Sequence, residues 1–449
     1  MSQDDNRYDA IVIGAGFAGL IAARDLTDQG NSVLVLEARD RLGGRTWSTK
    51  YPGTDLDVEL GGQYVLPEKW PLMSAEMERY GVEVHYAEEV DAYPTLVNGK
   101  HLPGPSPVPI EQIFDLERAA VHCIRAAARI TPGMPLDQQN LADLDIPLAD
   151  FLAPLDLPAE TYDYVTTVGG LLSFRYAEEG SALHILNALA GMDLSPLSLW
   201  GATSMYIRTE SFLERVAADV GEVRLECPVT SVDQTGEDVV VTTAAGETIR
   251  ALAVVIAVPM NVWNDIEFTP QLSQVKRDTS AERHGADRSA KALMRVRNAP
   301  KVAKFTAPRS AEGGLMVYSD HQLGDGVQLM VMYALASMEG DDYHFNVTER
   351  ESVARTLEAM LPGAELVDFH SHDFNRDPYS KGDWVSWKPG RVSRSHSQLA
   401  APEGRLAFAT ADIAPKNLML FEGAVESAHA AAHRTQDQLL RARNARPAS

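Results

Sequence analysis

A glycine-rich turn near the start of the chain constrains the fold more than any other feature of the sequence. Residues 10–13 form a short apolar run typical of a buried strand, and an alanine-rich stretch typical of a helix follows Phe17. Between them, Gly14, Gly16 and Gly19 fit the pattern G-x-G-x-x-G. Glycines at this spacing allow a tight turn, let backbone N–H groups approach a pyrophosphate, and let the helix lie close to the strand. The turn therefore predicts a βαβ unit that binds a dinucleotide.

An acidic residue at the end of the next predicted strand supports this interpretation. Residues 32–36 form a second apolar run, which ends at Glu37, 18 residues after Gly19. In dinucleotide sites an acidic side chain about 20 residues past the glycines accepts hydrogen bonds from a ribose diol and repels a 2′-phosphate. NAD and FAD both carry such a diol, so these residues alone leave the two cofactors as alternatives.

The charge of the chain limits its partners. The formal net charge is −23. The hydrophobic fraction of 45% is that of an ordinary globular protein, and 449 residues are enough for more than one domain. Binding to nucleic acid or to an anionic membrane is disfavoured, and a cationic small molecule would be attracted. An acidic surface that serves solubility alone explains the charge equally well.

Cysteine content and the first residues bear on the compartment. Cys123 and Cys227 are too few for a disulfide framework or a zinc site. The first seven residues do not form a signal peptide, and the apolar run 10–23 is too short to span a bilayer. We therefore expect a cytoplasmic protein without a membrane anchor, and the sequence leaves a homodimer open.

The predicted elements alternate between two domains. Patterns of the dinucleotide-binding type occupy residues 1–85 and return at 203–284 and 376–449. The intervening segments, 86–202 and 285–375, contain a proline-rich loop, helices and long strands. The sequence thus predicts an α/β protein with one domain assembled from three separated pieces and a second, α+β domain formed by the insertions.

Further stretches give the chain a resemblance to the flavin-containing amine oxidase family, which includes monoamine oxidases, polyamine oxidases and bacterial nicotine-degrading oxidases. Besides the glycine turn, they are 37–45 (EARDRLGGR), 60–64 (LGGQY), 227–229 (CPV), 257–259 (AVP), 404–412 (GRLAFATAD) and 421–428 (FEGAVESA). They follow the family's order and cover nearly the whole chain. The arginine-bearing stretch 37–45 is much more specific than the glycines.

The resemblance implies FAD as the cofactor and a Rossmann-type domain of the amine oxidase kind. In the family, the match of 37–45 contacts the FAD phosphates and ribityl region, and the match of 60–64 passes against the isoalloxazine ring. The match of Val229 holds the adenine, and that of Asp412 meets the ribityl chain. The candidate cofactor residues are Gly14, Gly16, Phe17, Ala18, Gly19, Glu37, Ala38, Arg39, Gly43, Gly44, Arg45, Gly61, Gly62, Gln63, Tyr64, Val229, Asp412, Gly423, Ala424 and Val425.

The last predicted helix, 422–441, has a role in this resemblance. In the family it points its N-terminus at the C2 carbonyl of the flavin. Reduction of the ring puts negative charge on that edge, and the positive end of a helix dipole stabilises it. Gly423 and Ala424 are small, so we expect them to let the ring approach the backbone.

Lys291 is the candidate catalytic residue. It lies in the predicted strand 289–296, and in family members a lysine at this place holds a water that bridges to flavin N5. Such a lysine orders the water and places positive charge beside the reduced ring. The alternative is a solvent-facing lysine on a strand edge, as expected for Arg295 and Arg297.

Trp384 and Trp387 are candidate pocket residues, because the family places aromatic side chains here to flank the substrate amine. An aromatic face attracts a cation and guides an amine toward the ring. Core packing is the alternative for both tryptophans. Asp383 stands where family members with covalent flavin carry a cysteine, so the resemblance implies that FAD is bound non-covalently.

Other positions depart from the monoamine oxidase pattern. Leu420 stands in place of the second aromatic residue that encloses the amine, and Asn417 in place of a tryptophan; with Tyr64, they complete the candidate pocket. Half of the usual aromatic sandwich is therefore missing. The stretches 377–384 (DPYSKGDW) and 412–414 (DIA) are closer in form to bacterial nicotine- and pseudooxynicotine-type oxidases.

The sequence contains one weak suggestion of a metal site. His370 and His372 precede Asp373, and side chains at alternating positions of a strand explain this pattern better than metal ligands. We therefore expect no metal.

Three functions remain open at this stage. The first is FAD-dependent oxidation of an amine C–N bond to an imine by hydride transfer to flavin N5, followed by hydrolysis and reoxidation by O₂ or another acceptor. The second, motivated by Leu420 and Asn417, is a flavin-dependent desaturase or tailoring oxidase that acts on a less basic substrate. The third is an FAD-binding protein without turnover.

Overall fold

Two β-sheets organise the protein, which is described by a computed structural model over residues 7–195 and 205–445. Within those residues the large sheet has eight strands. Seven of them run in the order Glu267–Thr269, Val229–Asp233, Val239–Thr243, Thr248–Ile256, Arg7–Ile13, Val33–Leu36 and Glu222–Arg224, and Leu406–Phe408 also pairs with Thr248–Ile256. The large sheet thus joins three separated parts of the chain.

The strand Thr248–Ile256 is the centre of the large sheet. One side pairs in parallel with Arg7–Ile13. On its other side the first half pairs antiparallel with Val239–Thr243, and the last half pairs in parallel with Leu406–Phe408. The turn at Ala245 and Gly246 predicts a hairpin whose second arm is separate from the apolar strand that follows. In the structure the arm and the apolar strand are one continuous strand, Thr248–Ile256.

The parallel strands end together at one edge of the large sheet. In the register of the sheet, Ile13 lies beside Leu36 and Ile256, and Ile256 lies beside Phe408. The loops that follow these residues therefore start side by side. Ligands of open α/β sheets bind at this carboxyl edge.

The glycine turn leads into the first helix, Phe17–Asp28, which packs against the C-terminal helix Phe421–Ala445. Small side chains such as Ala22 and Ala428 are buried there, so the two helices approach closely over the sheet. The other α-helices among the described residues are Pro71–Arg79, Ile113–Ala127, Leu148–Leu152, Ala159–Ser173, Ala182–Gly191, Thr209–Ala218, Gln274–Glu282, Arg350–Met360 and Val392–Ala400.

The second sheet has seven strands among the described residues, in the order Glu365–Ser371, Ser289–Arg297, Val327–Leu335, Gly314–Gly324, Ala303–Thr306, Thr95–Val97 and Lys100–Leu102. The helix Ala159–Ser173 packs on one face, in a cluster that contains Tyr164 and Leu315. The helix Arg350–Met360 packs on the other, in a cluster that contains Leu357 and Met294. Two small antiparallel pairs complete the strands: Ser48–Lys50 with Asp57–Glu59, and His85–Tyr86 with Met205–Tyr206.

These elements follow the sequence patterns closely, and the fold class predicted from the sequence is confirmed. The predicted last helix, 422–441, is observed as Phe421–Ala445, and the predicted strand at 289–296 as Ser289–Arg297. The expected division between residues 202 and 203 lies outside the described residues. No helix in the described part of the chain is long and apolar enough to cross a bilayer.

Candidate active site

A cavity of about 840 Å³ runs from the carboxyl edge of the large sheet to the second sheet. Gly14, Glu37 and Val229 line one end, and Lys291 and Tyr333 line the other. Its volume lies within the range of roughly 300–1,000 Å³ that is usual for cofactor and small-molecule sites. The cavity therefore joins the predicted cofactor residues to the predicted catalytic lysine.

The three glycines of the turn have different reasons to be glycine. Gly14 has φ +106°, and a Cβ on Gly19 would lie 1.9 Å from the carbonyl oxygen of Gly14. Both positions are therefore required by the fold itself. A Cβ on Gly16 would meet no protein atom nearer than the Gly43 carbonyl oxygen, at 3.8 Å. Gly16 lines the cavity, so its missing side chain leaves space for a ligand.

The first helix offers an anion site to the cavity. Gly16 is its N-cap residue, no side chain caps it, and its first turn contains no acidic residue. The first N–H groups of a helix have no partner within the helix, and the positive end of its dipole favours negative charge. Phe17 and Ala18 of this turn line the cavity, which suits a pyrophosphate.

Glu37 is held in place by the backbone around it. One carboxylate oxygen accepts the N–H of Ala15 at 2.7 Å and the other that of Arg39 at 2.9 Å, and the residue is 3% exposed. A carboxylate has about four acceptor positions, so about two remain for a ribose diol. The N–H of Cys227 donates to the Glu37 carbonyl at 2.8 Å, which brings Val229 to the same end of the cavity.

Arg45 is fixed at the middle of the cavity by three acceptors. Its guanidinium donates to the Asp412 carboxylate at 2.6 Å, the Asp383 carbonyl at 2.9 Å and the Thr410 hydroxyl at 3.1 Å. Asp412 is only 2% exposed and also accepts the N–H of Met260. Asp412 thus lies behind the arginine and holds it, and Thr410 adds one hydrogen bond.

The start of the C-terminal helix differs from expectation in one respect. A Cβ on Gly423 would lie 2.0 Å from the Asn417 carbonyl oxygen, so this glycine accommodates the preceding turn and not a ring. Ala424 lines the cavity, whereas Val425 is fully buried. The prediction that Asn417 lines the pocket was wrong, because its side chain is buried against Gly191.

The two tryptophans separate. Trp384 lines the cavity, its indole N–H donates to the Leu172 carbonyl at 3.0 Å, and its ring centroid lies 4.8 Å from that of Phe174. Trp387 is 0% exposed and packs against His284 in the core, so the prediction that it lines the pocket was wrong. Leu420 and Tyr64 line the cavity.

Lys291 is buried at the inner end of the cavity. Its ammonium donates to the carbonyls of Glu59 at 2.7 Å and Gly61 at 2.9 Å, and to Oε1 of Gln63 at 2.8 Å. All three donors of the ammonium group thus have protein partners, which excludes the solvent-facing alternative. Burial lowers the pKa of Lys291 to about 8, against the nearby carboxylates of Glu59, Asp320 and Asp383, which raise it.

Two aspartates of the loop before Trp384 have opposite environments. Burial raises the pKa of Asp383 to about 6, although Arg45 and Lys291 lower it. Burial acts in the same direction on Asp377, but hydrogen bonds from His372 and Arg39 and the charge of Arg39 hold its pKa well below the usual range. Asp383 faces the cavity, and Asp377 ties Arg39 to the loop.

His372 pairs with Asp377 at 3.0 Å, and the ring centroid of His370 lies 6.0 Å from that of Tyr51. Among the described residues no group of three or more His, Cys, Asp or Glu side chains could hold a metal ion.

Sequence reasoning missed an aromatic wall that the second sheet and the helix Ala159–Ser173 form together. Phe174, Phe305, Tyr318 and Tyr333 line the cavity opposite the glycine turn. Burial raises the pKa of Tyr333 above its usual range, so its hydroxyl stays neutral. Phe174 ends the helix Ala159–Ser173 with φ +46°, a rare conformation for a bulky residue, which turns its ring toward Trp384. No sequence pattern announces such a turn.

The two glycines Gly16 and Gly19 make a matched test of the cradle. We expect Gly16→Ala to leave the melting temperature of the apoprotein unchanged, since φ is −76° and a Cβ has room, but to weaken FAD binding by about tenfold or more, or ~1.4 kcal/mol. Gly19→Ala should lower the melting temperature of the apoprotein and also weaken FAD binding, because its Cβ would overlap the Gly14 carbonyl. Titration of apoprotein with FAD and thermal unfolding measure the two effects; a Gly16→Ala protein that binds FAD normally would contradict this account.

The aspartates make a second matched pair. Because the pKa of Asp383 is raised, its ionisation destabilises the fold above about pH 6, so Asp383→Asn should raise the melting temperature at pH 7 to 8 and have little effect near pH 4. Because the pKa of Asp377 is lowered, its charge stabilises the fold, so Asp377→Asn should lower the melting temperature throughout pH 4 to 8, and the effect should shrink only below about pH 4, the usual pKa of an aspartate. Thermal unfolding of the apoproteins from pH 4 to 8 measures both; two shifts of the same sign at pH 7 would refute the assignment.

Comparison with known proteins agrees with this geometry. Residues 17–435 match the family model described as flavin containing amine oxidoreductase. The chain is 33% identical to (S)-6-hydroxynicotine oxidase of Paenarthrobacter nicotinovorans, over 94% of this chain and 98% of that protein. It is 31% identical to pseudooxynicotine dehydrogenase of a Pseudomonas species, over 95% of this chain and 85% of that protein.

Solved structures share the fold. A cyclohexylamine oxidase from Brevibacterium oxydans superposes with a TM-score of 0.82 at 22% identity, covering 96% of this chain and 99% of that one. A triple mutant of putrescine oxidase superposes with a TM-score of 0.84 at 23% identity, with the same coverage of both chains. The match over residues 17–435 and the agreement in fold confirm the resemblance seen in the motifs. The chain belongs to the flavin-containing amine oxidoreductase family, and its cofactor is FAD.

Proposed function

We propose that this protein oxidises the C–N bond of an amine to an imine with non-covalently bound FAD, and that hydrolysis and reoxidation by O₂ or another acceptor follow. The observation that carries the proposal is a single cavity that joins the glycine turn and Glu37 to the buried ammonium of Lys291 and the face of Trp384. A site for a dinucleotide and a site for an amine therefore adjoin.

The residues of the large sheet fit FAD. We assign the cofactor domain to residues 1–85, 203–284 and 376–449, and the substrate domain to 86–202 and 285–375. Gly16 and the uncapped first helix would hold the pyrophosphate, and Glu37 the ribose diol. Asp383 has no thiol for a covalent bond to the ring, and Cys227, which also lines the cavity, lies at the Glu37 end.

In such a site FAD supplies the acceptor for a hydride from the carbon next to the amine nitrogen. The protein contributes charge, shape and exclusion of water. Lys291 carries a proton at pH 7, since its pKa is about 8, and its positive charge stabilises negative charge on a reduced ring. The positive end of the C-terminal helix, beside Ala424, acts in the same sense. Phe174, Tyr333 and Trp384 form walls that keep water away from the reacting carbon.

The relatives narrow the substrate class. The lining of the pocket is largely aromatic, with Trp384, Phe174 and Tyr333, and it includes the aliphatic Leu420. This lining and the similarity to enzymes named for 6-hydroxynicotine and pseudooxynicotine favour an amine that carries an aromatic ring over a simple primary alkylamine. One of those relatives is named an oxidase and the other a dehydrogenase, so their names leave both O₂ and another electron acceptor open. Two cysteines without a disulfide support a cytoplasmic location.

Leu420 keeps a second candidate in view, a flavin-dependent desaturase or tailoring oxidase that acts on a less basic substrate. Reduction of the bound flavin under anaerobic conditions by amides or carbon substrates, and not by amines, would favour it. The third possibility, FAD binding without turnover, predicts that Lys291→Met leaves flavin reduction and reoxidation unchanged.

Single-turnover reduction tests the proposal. A protonated amine has no lone pair to expel the hydride, so the rate of anaerobic flavin reduction should rise with pH through the pKa of the bound amine. Above about pH 8 Lys291 loses its charge, and the rise should flatten or reverse. Lys291→Met should retain FAD, lower the rate and remove this upper limb, since proton-linked side chains contribute about 10²–10⁴-fold. Stopped-flow absorbance with a panel of aromatic and alkyl amines measures this; a rate independent of pH would contradict the proposal.

The two tryptophans offer a test of the pocket. Trp384→Ala should lower kcat/KM for amines by about tenfold, as expected for loss of a desolvated cation–π contact of up to ~2 kcal/mol, with a small change in stability. Trp387→Ala should lower the stability by about 3–5 kcal/mol, since it empties a core position, and leave kcat/KM of the folded protein unchanged. Steady-state kinetics and denaturant unfolding separate the two, and the reverse pattern would show that Trp387 is the pocket residue.

A further inference from the structure

A second, small cavity lies behind Lys291. It has a volume of about 10 Å³, close to the roughly 10–15 Å³ that one water requires. The side chain of Gln63 belongs to the walls of both cavities, and its Oε1 accepts the hydrogen bond from Lys291 at 2.8 Å. Gln63 is therefore a partition between the active site and a polar space on its other side.

Two residues on the strand Gly314–Gly324 face this small cavity. The register of the strand shifts between Ser319 and His321, so Asp320 is the extra residue of a bulge, and it is 8% exposed. Nδ1 of His321 lies 3.0 Å from Oδ2 of Asp320, at ion-pair distance but outside hydrogen-bond geometry. The His321 side chain is 31% exposed. The pair thus connects a buried carboxylate to solvent.

Charged and polar side chains of neighbouring elements surround the Asp320–His321 pair. Glu59 and Arg208 line the small cavity with Asp320, and Tyr206 lies 3.3 Å from Nε2 of His321. The adjacent carboxylate of Asp320, assisted by Glu88, raises the pKa of His321, while burial and Arg208 lower it. The net effect is to raise the pKa of His321 above its ordinary value.

The amine oxidation proposed above requires such an exchange. The ammonium form of the substrate gives up one proton before its C–H bond breaks. The hydrogen that leaves carbon with its electron pair reaches O₂ as one hydrogen of H₂O₂, and the second hydrogen is a proton taken from outside. One proton therefore leaves the site and one enters it in each turnover.

The main cavity is poorly suited to carry these protons. Its inner walls are apolar or aromatic, including Phe174, Phe305 and Met316, and Lys291 is the buried cation at the reacting end. Behind Gln63 the walls are polar and ionisable.

We propose that Asp320 and His321 form a proton route between Lys291 and solvent, through the small cavity and past the Gln63 amide. The proposal rests on the function proposed above for its need of protons, and on the shared wall of the two cavities for its path. Asp320 and His321 do not touch the substrate; they pass the proton that Lys291 releases or takes up.

The test uses the holoenzyme without any amine. Flavin-loaded wild type, His321→Gln and Asp320→Asn are photoreduced anaerobically and mixed at pH 7, in weak buffer, with O₂ and in parallel with a two-electron quinone. We expect reoxidation to slow by about tenfold or more in both variants, since a positioned proton-transfer group contributes about 10²–10⁴-fold. Added imidazole, a diffusible proton carrier, should restore the rate. His321→Gln alters a half-exposed side chain, so it tests the route even if Asp320→Asn does not fold.

His344 supplies the matched control. It forms a similar pair with Glu349, at 3.0 Å, exposed to solvent and outside both cavity walls. His344→Gln should reoxidise at the wild-type rate with or without imidazole. A wild-type rate in His321→Gln, or a slow rate that imidazole does not change, would overturn the route. Failure of the proposed function would instead appear as wild-type flavin that no amine reduces, and it would leave these reoxidation results readable.

Discussion

The parallel register of the large sheet is the constraint on which the rest of the site depends. Because Ile13, Leu36, Ile256 and Phe408 end side by side, four loops distant in sequence open at one edge. Backbone hydrogen bonds then join these loops, from Ala15 to the Glu37 carboxylate and from Cys227 to the Glu37 carbonyl. A slip of one residue in any of these strands would turn its side chains to the other face and separate the partners.

The second sheet carries Lys291, which lies at the end of the cavity away from the glycine turn. Lys291 reaches the carbonyls of Glu59 and Gly61 instead of a carboxylate, so its charge is buried with hydrogen bonds but without a contact ion pair. Burial lowers the pKa of such an ammonium group, and for Lys291 the pKa is about 8. A pKa in this range suits a group that stabilises negative charge in one half of a redox cycle and exchanges a proton in the other half.

Local features could be predicted from the sequence, and features that depend on packing could not. Gly14, Gly19 and Glu37 act through backbone geometry within one βαβ unit, and the structure places them as their spacing predicts. Trp387 and Asn417 were misplaced because the direction of a side chain on an irregular segment depends on the tertiary structure. The aromatic side chains of Phe174, Tyr318 and Tyr333 come from the second sheet and the helix packed on it, and they look like ordinary core positions in the sequence.

A crystal structure of the flavin-loaded protein tests the central claim most directly. The account predicts the adenosine ribose hydroxyls within hydrogen-bond distance of the Glu37 carboxylate and the pyrophosphate at the N-terminus of the helix Phe17–Asp28. It also predicts the flavin ring between Lys291 and the start of the C-terminal helix, with Trp384 beside it and no covalent bond to Asp383. A ring directed away from Lys291, or a ribose bound elsewhere than at Glu37, would contradict it.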